Sequence, residues 1–593
     1  MIYIENFSFL CFISSLWKVS KYKNFSTIYY IDASAFSKRV LVPILSFFGK
    51  KIYQLDFKMT EIVDDSGELI RLRIHRYDLL AFKEEILKSK AYKALFDETW
   101  NQNNIIEYIN KGLTDGSVLD ANSVIRMLYI INVVNWHGQK SDNNKSVFII
   151  NKRPWLNLFQ AYSDKFNIKI IETRSSFFNS FTLRKYIRNF PILYNILKNY
   201  KYQNYTKNNK NPNMSNNNLF LDGRGDISLD NDGMHSDFFW QQNSEFLLKN
   251  IIYKHYSDQE RDYFVQNDLQ SISDGVYSNG NDYRQYSKPK LNYSKQFKLE
   301  YKFIKNLLNS YDLDRFNISA LFRKFGVKVL LSWDKYSNDH MVWSDAIKDN
   351  GGISVIWQLA FDGHLFAESL TNSDIVFSYS KFSNEIEKKL QSKIKYNVIV
   401  GYPKDYASAL LKDDAYLIRS QLKVNGAKKI VFVIDENSVD DSRWHTGHEL
   451  QRENYSYILE KLFDEPWLGV VFKPKNINSL RQRLGQVEEL LDRALATGRC
   501  YIFEDVGRHT TSAPPILAGL ASDVCIHGHL CAGTAAIECA LEGIPTLLID
   551  REGCPYSKFY ELPEGKVIFN NWPETIDAIM EHFTSDNGIP GFG

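Results

Sequence analysis

Between Asp523 and Asp550 the chain reads DVCIHGHLCAGTAAIECALEGIPTLLID. Its residue types suit phosphate and ribose recognition. Apolar Val524–Ile526 gives way to small and polar residues, and a helical pattern then runs from Thr534 to Glu542. Gly543 and Pro545 stop it, and a second apolar run covers Thr546–Ile549. The order strand, glycine loop, helix, turn, strand is one βαβ unit. At a helix start the backbone N–H groups lack intrahelical acceptors, and the helix dipole is positive there. Gly533 has no side chain to hold an anion away, and Thr534 can cap the helix or donate its hydroxyl. Glu538 lies one turn further on, within reach of a ribose hydroxyl. Glu538→Ala should then weaken nucleotide binding and leave folding nearly intact, as expected of an exposed helix residue; the alternative is a solvated Glu538 on a helix with an ordinary small-residue start. Cys525, His527, His529 and Cys531 alternate with other residues. This spacing lacks the two-to-four-residue gaps of zinc ligands, so no metal is expected, and His527 and His529 are read as donor-phosphate contacts.

A second polar cluster follows the apolar run Leu219–Leu221. Asp222, Arg224, Asp226, Asp230, Asp232, His235 and Asp237 lie beyond a strand end, where α/β folds place ligands. Asp237, and after it Asp226, are the candidate general bases for an acceptor hydroxyl. The spacing from Asp230 to Gly233 lacks the later glutamate of a calcium loop. His364, at the end of the run QLAFDGH, is a third candidate for acid/base chemistry or phosphate contact; the alternative is an exposed loop histidine.

GTAAIECALEGIPTLLID resembles the donor-nucleotide segment of GT-B glycosyltransferases, in particular bacterial surface-carbohydrate biosynthesis proteins. The resemblance implies two Rossmann-like domains facing across a cleft, with the C-terminal one holding a nucleotide sugar. It also implies that Gly533 and Thr534 meet phosphate and Glu538 meets ribose. The loop after the first C-terminal strand would close over the donor, which makes Ser438, Arg443, His445 and His448 candidates. Related enzymes often carry Lys-Pro-His-Pro after the next strand. Here Lys473-Pro474-Lys475 puts Lys475 in the histidine place, so a point charge replaces an imidazole. Arg508 would reach phosphate. The expected activity is transfer of a sugar from a nucleotide sugar to a glycan or lipid-linked acceptor in surface polysaccharide biosynthesis, with no cofactor beyond the donor substrate. Two alternatives stay open: a nucleotide-sugar epimerase or polyol-phosphate transferase of the same fold, and a non-catalytic scaffold.

The elements that must position these residues are legible in outline. Apolar runs predict strands at Ile28–Ile31, Lys51–Leu55, Ser146–Ile150, Ile168–Glu172, Leu219–Leu221 and Val327–Ser332. Others are predicted at Ser354–Leu359, Asp374–Tyr379, Tyr396–Val400, Ile430–Ile434, Leu468–Phe472 and Tyr501–Phe503, and the last at Lys566–Phe569. A hairpin is expected over Ile62–Ile74, and helices around 243–325. Residues 1–405 read as an acceptor domain enlarged by helical insertions, and 425–585 as the nucleotide-sugar domain. At 593 residues the chain exceeds one core. A net charge of +2 gives no case for nucleic acid, and six cysteines in this length give no disulfide framework, which suits a reducing cytoplasm. The apolar run Phe7–Trp17 is too short to span a bilayer. From Thr173 to Leu221 there is no acidic residue against eight basic ones interleaved with aromatics. Residues 174–210 therefore suit peripheral contact with an anionic membrane, or equally a core-facing helix on an exposed rim. The adjoining stretch to residue 218 is asparagine-rich.

Overall fold

The computed structural model describes residues 1–8, 27–47, 51–96, 105–116, 120, 123–141, 146–176, 218–222, 248–273, 291–403, 405–435, 438–439, 441, 443–445, 447–504, 513–528, 530, 533–551, 553–554 and 556–593. The chain forms two compact units. Unit 1 comprises residues 1–210, 277–321 and 337–346; unit 2 comprises 211–276, 322–336 and 347–593.

Unit 1 holds one parallel sheet: β1 (Ile2–Phe7), β2 (Thr27–Ala33), β3 (Lys51–Gln54), β4 (Ser146–Lys152) and β5 (Ile168–Ser176), in the order β3-β2-β1-β4-β5. Unit 2 holds two. The first contains β6 (Asn218–Asp222), β7 (Ile251–His255), β8 (Gln270–Ser273), β9 (Val327–Ser332), β10 (Ile353–Trp357), β11 (Asn372–Ser378) and β12 (Lys393–Ile399), ordered β12-β11-β10-β9-β6-β7-β8. The second contains β13 (Lys429–Ile434), β14 (Leu468–Lys473), β15 (Cys500–Ile502), β16 (Val524–His527), β17 (Thr546–Ile549) and β18 (Ile568–Phe569), ordered β15-β14-β13-β16-β17-β18. Numbered within itself, each sheet runs 3-2-1-4-5 and onward, the Rossmann order, and every ladder between these strands is parallel.

The α/β class with Rossmann-like sheets is thus the one expected. Residues 1–405 carry two such sheets, and the strands of unit 2 begin at Asn218. The central strands of the last sheet are buried on both faces, which is why they read as unbroken apolar runs such as Ile430–Ile434. Around the last sheet, Val431, Val433, Tyr455, Phe472, Ile526 and Trp572 belong to one core.

Two expectations are corrected. The span 243–325 is not all helix, because β7 and β8 complete one flank of their sheet. Ile251-Ile-Tyr-Lys-His255 is fully buried, and its Lys254 and His255 interrupt the apolar signal within five residues. At 62–74 a bridge between Val63 and Leu69 closes a turn on Asp64, whose Oδ1 accepts the N–H groups of Ser66 and Glu68. A helix starts at Ile70 in place of the second strand. No helix among the described residues is long and apolar enough to cross a membrane.

Burial lowers the pKa of three histidines. It lowers His255 to about 4, with Arg261 adding to the effect, and it lowers His137 and His582 with help from Lys140 and Lys429. A folded-state pKa below the unfolded value contributes stability at pH above about 6.5, which is lost as pH falls toward the folded value. Thermal unfolding should therefore shift down between pH 6.5 and 4.5. The shift should be smaller in His255→Asn, and equal shifts in both proteins would exclude His255 as a source.

Candidate functional site

In each Rossmann-order sheet, ligands bind outside the carboxyl ends of the strands where the order reverses. In the last sheet that point lies between β13 and β16. His527, the final residue of β16, pairs with Ile434 at the end of β13, and Asp435 follows. The helix Thr534–Leu541 begins just beyond. Its N-cap is Gly533 rather than Thr534, and among the described residues no side chain caps its first amides. At the other end Gly543, at φ +73°, lets the Ile544 N–H reach the Cys539 carbonyl, the stop that the Gly-x-Pro turn predicts.

Loops from the carboxyl ends of β10 and β12 meet this helix inside unit 2. The Phe361 N–H donates to Thr534 Oγ1 at 2.9 Å. The Lys558 N–H donates to the Gly363 carbonyl at 3.2 Å. The Tyr402 hydroxyl donates to Glu538 Oε2 at 3.2 Å. Phe361 and Phe559 pack with ring centroids 4.9 Å apart, and a methyl group built on Gly533 would overlap the Phe559 ring. The two sheets of unit 2 therefore turn carboxyl ends toward each other, and the glycine-led helix start lies where they meet.

Buried charges hold the partners in place. Lys335, Asp362 and Glu387 are each at most 5 % exposed, and the Lys335 ammonium reaches Asp362 at 2.6 Å and Glu387 at 2.9 Å. Burial pulls the lysine pKa down, but the two carboxylates outweigh it and hold it above the ordinary lysine value. Glu387 also accepts the hydroxyls of Thr371 and Ser392. Gln358 pins the same loop, donating to the Ala360 carbonyl and accepting the Tyr379 N–H. On the other side Asp550 accepts the Cys554 N–H and the Tyr560 hydroxyl, both at 2.7 Å, which fixes the loop that carries Phe559.

Behind β13 lies a second buried network. The Gln451 amide donates to Asp435, and Arg483 donates to Asp435 at 3.4 Å, Gln451 at 2.6 Å and the Asn476 carbonyl at 2.9 Å. Ser438 donates to Gln451 at 2.8 Å and lies 2.6 Å from His448 Nδ1. Its hydroxyl is therefore an anchor for its loop.

The structure brings Gly533, Thr534, Glu538 and the loop of His364 together. Glu538 is not a solvated residue: it is 5 % exposed because Tyr402 reaches over the helix onto its carboxylate. His364 is likewise buried rather than exposed; its ring packs at a tilt against Phe366, and Nε2 has no hydrogen-bond partner among the described residues. His527 is fully buried at the order reversal. Lys473 ends β14 half-buried, with Lys475 exposed beyond it. Arg443 and His445 are half-buried in the loop after β13. Asp226, Asp237, Arg508 and His529 lie outside the described residues, as does the 177–210 part of the basic stretch. Sequence reasoning missed Phe361, Phe559, Tyr402 and the Lys335 cluster. Phe361, Tyr402, Lys335 and Asp362 follow strand ends closely, and that position was their one local signal.

No family model and no curated protein matches the chain. Among solved structures it is similar to Anabaena HepE, determined with UDP and glucose, at 12% identity and TM-score 0.36 over 63% of this chain and 90% of that one. It is also similar to the UDP-GlcNAc 2-epimerase from Methanocaldococcus jannaschii, at 12% and 0.37 over 64% and 96%. A third is the α,α-trehalose 6-phosphate synthase from Burkholderia multivorans, at 10% and 0.37 over 63% and 92%. These neighbours are proteins of the GT-B fold.

Proposed function

We propose that unit 2 is a metal-independent glycosyltransferase that binds a nucleotide sugar and passes the sugar to an acceptor hydroxyl. The observation that carries this reading is the pair of Rossmann-order sheets turned carboxyl end to carboxyl end, with an uncapped, glycine-led helix start at their meeting point. The buried His364 Nε2, three residues along the loop from Phe361, is a second polar group at that junction.

In this reading the first amides of Thr534–Leu541 receive the donor phosphates. Lys473, Lys475 and Arg508 supply positive charge, His527 and His529 stand near the donor phosphates, and Glu538 holds a ribose hydroxyl. The acceptor oxygen attacks the anomeric carbon as the bond to the phosphate oxygen breaks, and the nucleotide leaves with that electron pair. Asp237 or Asp226 takes the acceptor proton, with His364 at the departing phosphate. The acceptor is a glycan or lipid-linked glycan of surface polysaccharide assembly, which the 174–210 stretch would bring to an anionic membrane face.

A thermal-shift series with UDP, GDP, CMP and CDP tests the core of this. At 100 times its dissociation constant the cognate nucleotide should stabilise the fold by about 2.7 kcal/mol. Glu538→Gln keeps an acceptor for Tyr402 but removes the charge, and should weaken binding by about ten- to a hundredfold. No shift with any nucleotide would remove the enzyme reading and leave the scaffold. Product analysis with and without acceptor separates transfer from epimerisation.

A further inference from the structure

The helix start proposed to receive phosphate is covered by aromatic side chains in this structure. Phe559 fills the space that a side chain on Gly533 would need, and Phe361 packs against it while its N–H engages the Thr534 hydroxyl. The two rings come from loops on opposite sheets, and each loop is independently pinned, by Asp362–Lys335 and Gln358 on one side and by Asp550 on the other. Among the described residues no side chain caps this helix start, and an apolar pair packs beside it. A diphosphate brought against Gly533 would meet the Phe559 ring, which fills the space beside that glycine.

We propose that Phe361 and Phe559 form a gate that closes the nucleotide site, and that a nucleoside diphosphate enters by displacing Phe559 and breaking the Phe361–Thr534 hydrogen bond. This rests on the nucleotide reading above. The Gly363–Lys558 hydrogen bond tethers the same two loops, so ring displacement and separation of the sheets are one motion. A ligand that must first open a closed state binds more weakly by the closed fraction.

The test is calorimetric titration of UDP, and of inorganic diphosphate, into the full chain and into Phe559→Ala and Phe361→Ala. The gate predicts binding about two- to tenfold tighter in the variants, the worth of one aromatic pair. The double variant Phe361→Cys/Phe559→Cys, oxidised to a cross-link, should lose UDP binding and regain it on reduction. Unchanged or weaker binding in both alanine variants, with the wild type still binding, overturns the gate and leaves the nucleotide reading standing. Failure of all the proteins to bind UDP or diphosphate overturns both. If one alanine variant does not fold, the other and the cross-link decide.

Discussion

Lys335→Met should lower the unfolding free energy by about 3–5 kcal/mol, the cost of removing one partner from a buried ion cluster. The ammonium is the positive member of the Lys335–Asp362–Glu387 cluster, and without it two buried carboxylates face each other. The hydroxyls of Thr371 and Ser392 satisfy Glu387 in part, so most of the loss should fall on Asp362. Adding Asp362→Asn to Lys335→Met should therefore restore a large share of the stability, because the amide is neutral and similar in shape. Chemical denaturation of the two variants and the parent provides the check. A double variant no more stable than Lys335→Met would mean that the cluster acts by packing. Loosening this loop also frees Phe361, so Lys335→Met should bind UDP more tightly per folded molecule even as the fold weakens.

The second large effect is expected at Arg483. Its guanidinium ties Asp435 and Gln451 to the Asn476 carbonyl, and Asp435 stands at the order reversal of the last sheet. Arg483→Met should cost about 3–5 kcal/mol by leaving Asp435 buried without its cation. Arg483→Lys should recover only part of this, since a lysine cannot reproduce the fork that meets several acceptors at once. Ser438 and His448 hang on the same network through Gln451. UDP affinity should therefore fall in Arg483→Met, opposite in sign to the effect at Lys335. The opposite signs distinguish loss of a site scaffold from loss of a closing element, and denaturation and titration on the same samples read both.

Much of unit 2 was legible because parallel strands buried on both faces leave unbroken apolar runs; β9, β13, β14, β16 and β17 were placed within a residue or two. Two of the strands missing from the sequence reading, β1 and β7, have a common cause. Glu5 in β1, and Lys254 and His255 in β7, put polar groups into short interior strands, where they are paired with Arg153, Asp222 and Ser271. Periodicity cannot see such compensation. The same holds for the site. Gly533 and Glu538 sit at fixed spacing on one element, so sequence could propose them. Phe361 meets Thr534 across 173 residues, Lys335 meets Glu387 across 52, and Arg483 meets Asp435 across 48. Contacts of that range are set by topology and leave no local mark.

The interleaving of the units has a consequence for how the protein is made. Strands β6 to β8 of unit 2 leave the ribosome before residues 277–321 and 337–346 of unit 1, and β9 emerges between those two segments. Nascent unit 2 then holds three strands of a sheet whose neighbour β9 has yet to appear, so synthesis cannot finish one body before starting the next. A cut at any single peptide bond between residues 211 and 346 would leave both units with pieces on two chains, so recombinant halves divided there need co-expression.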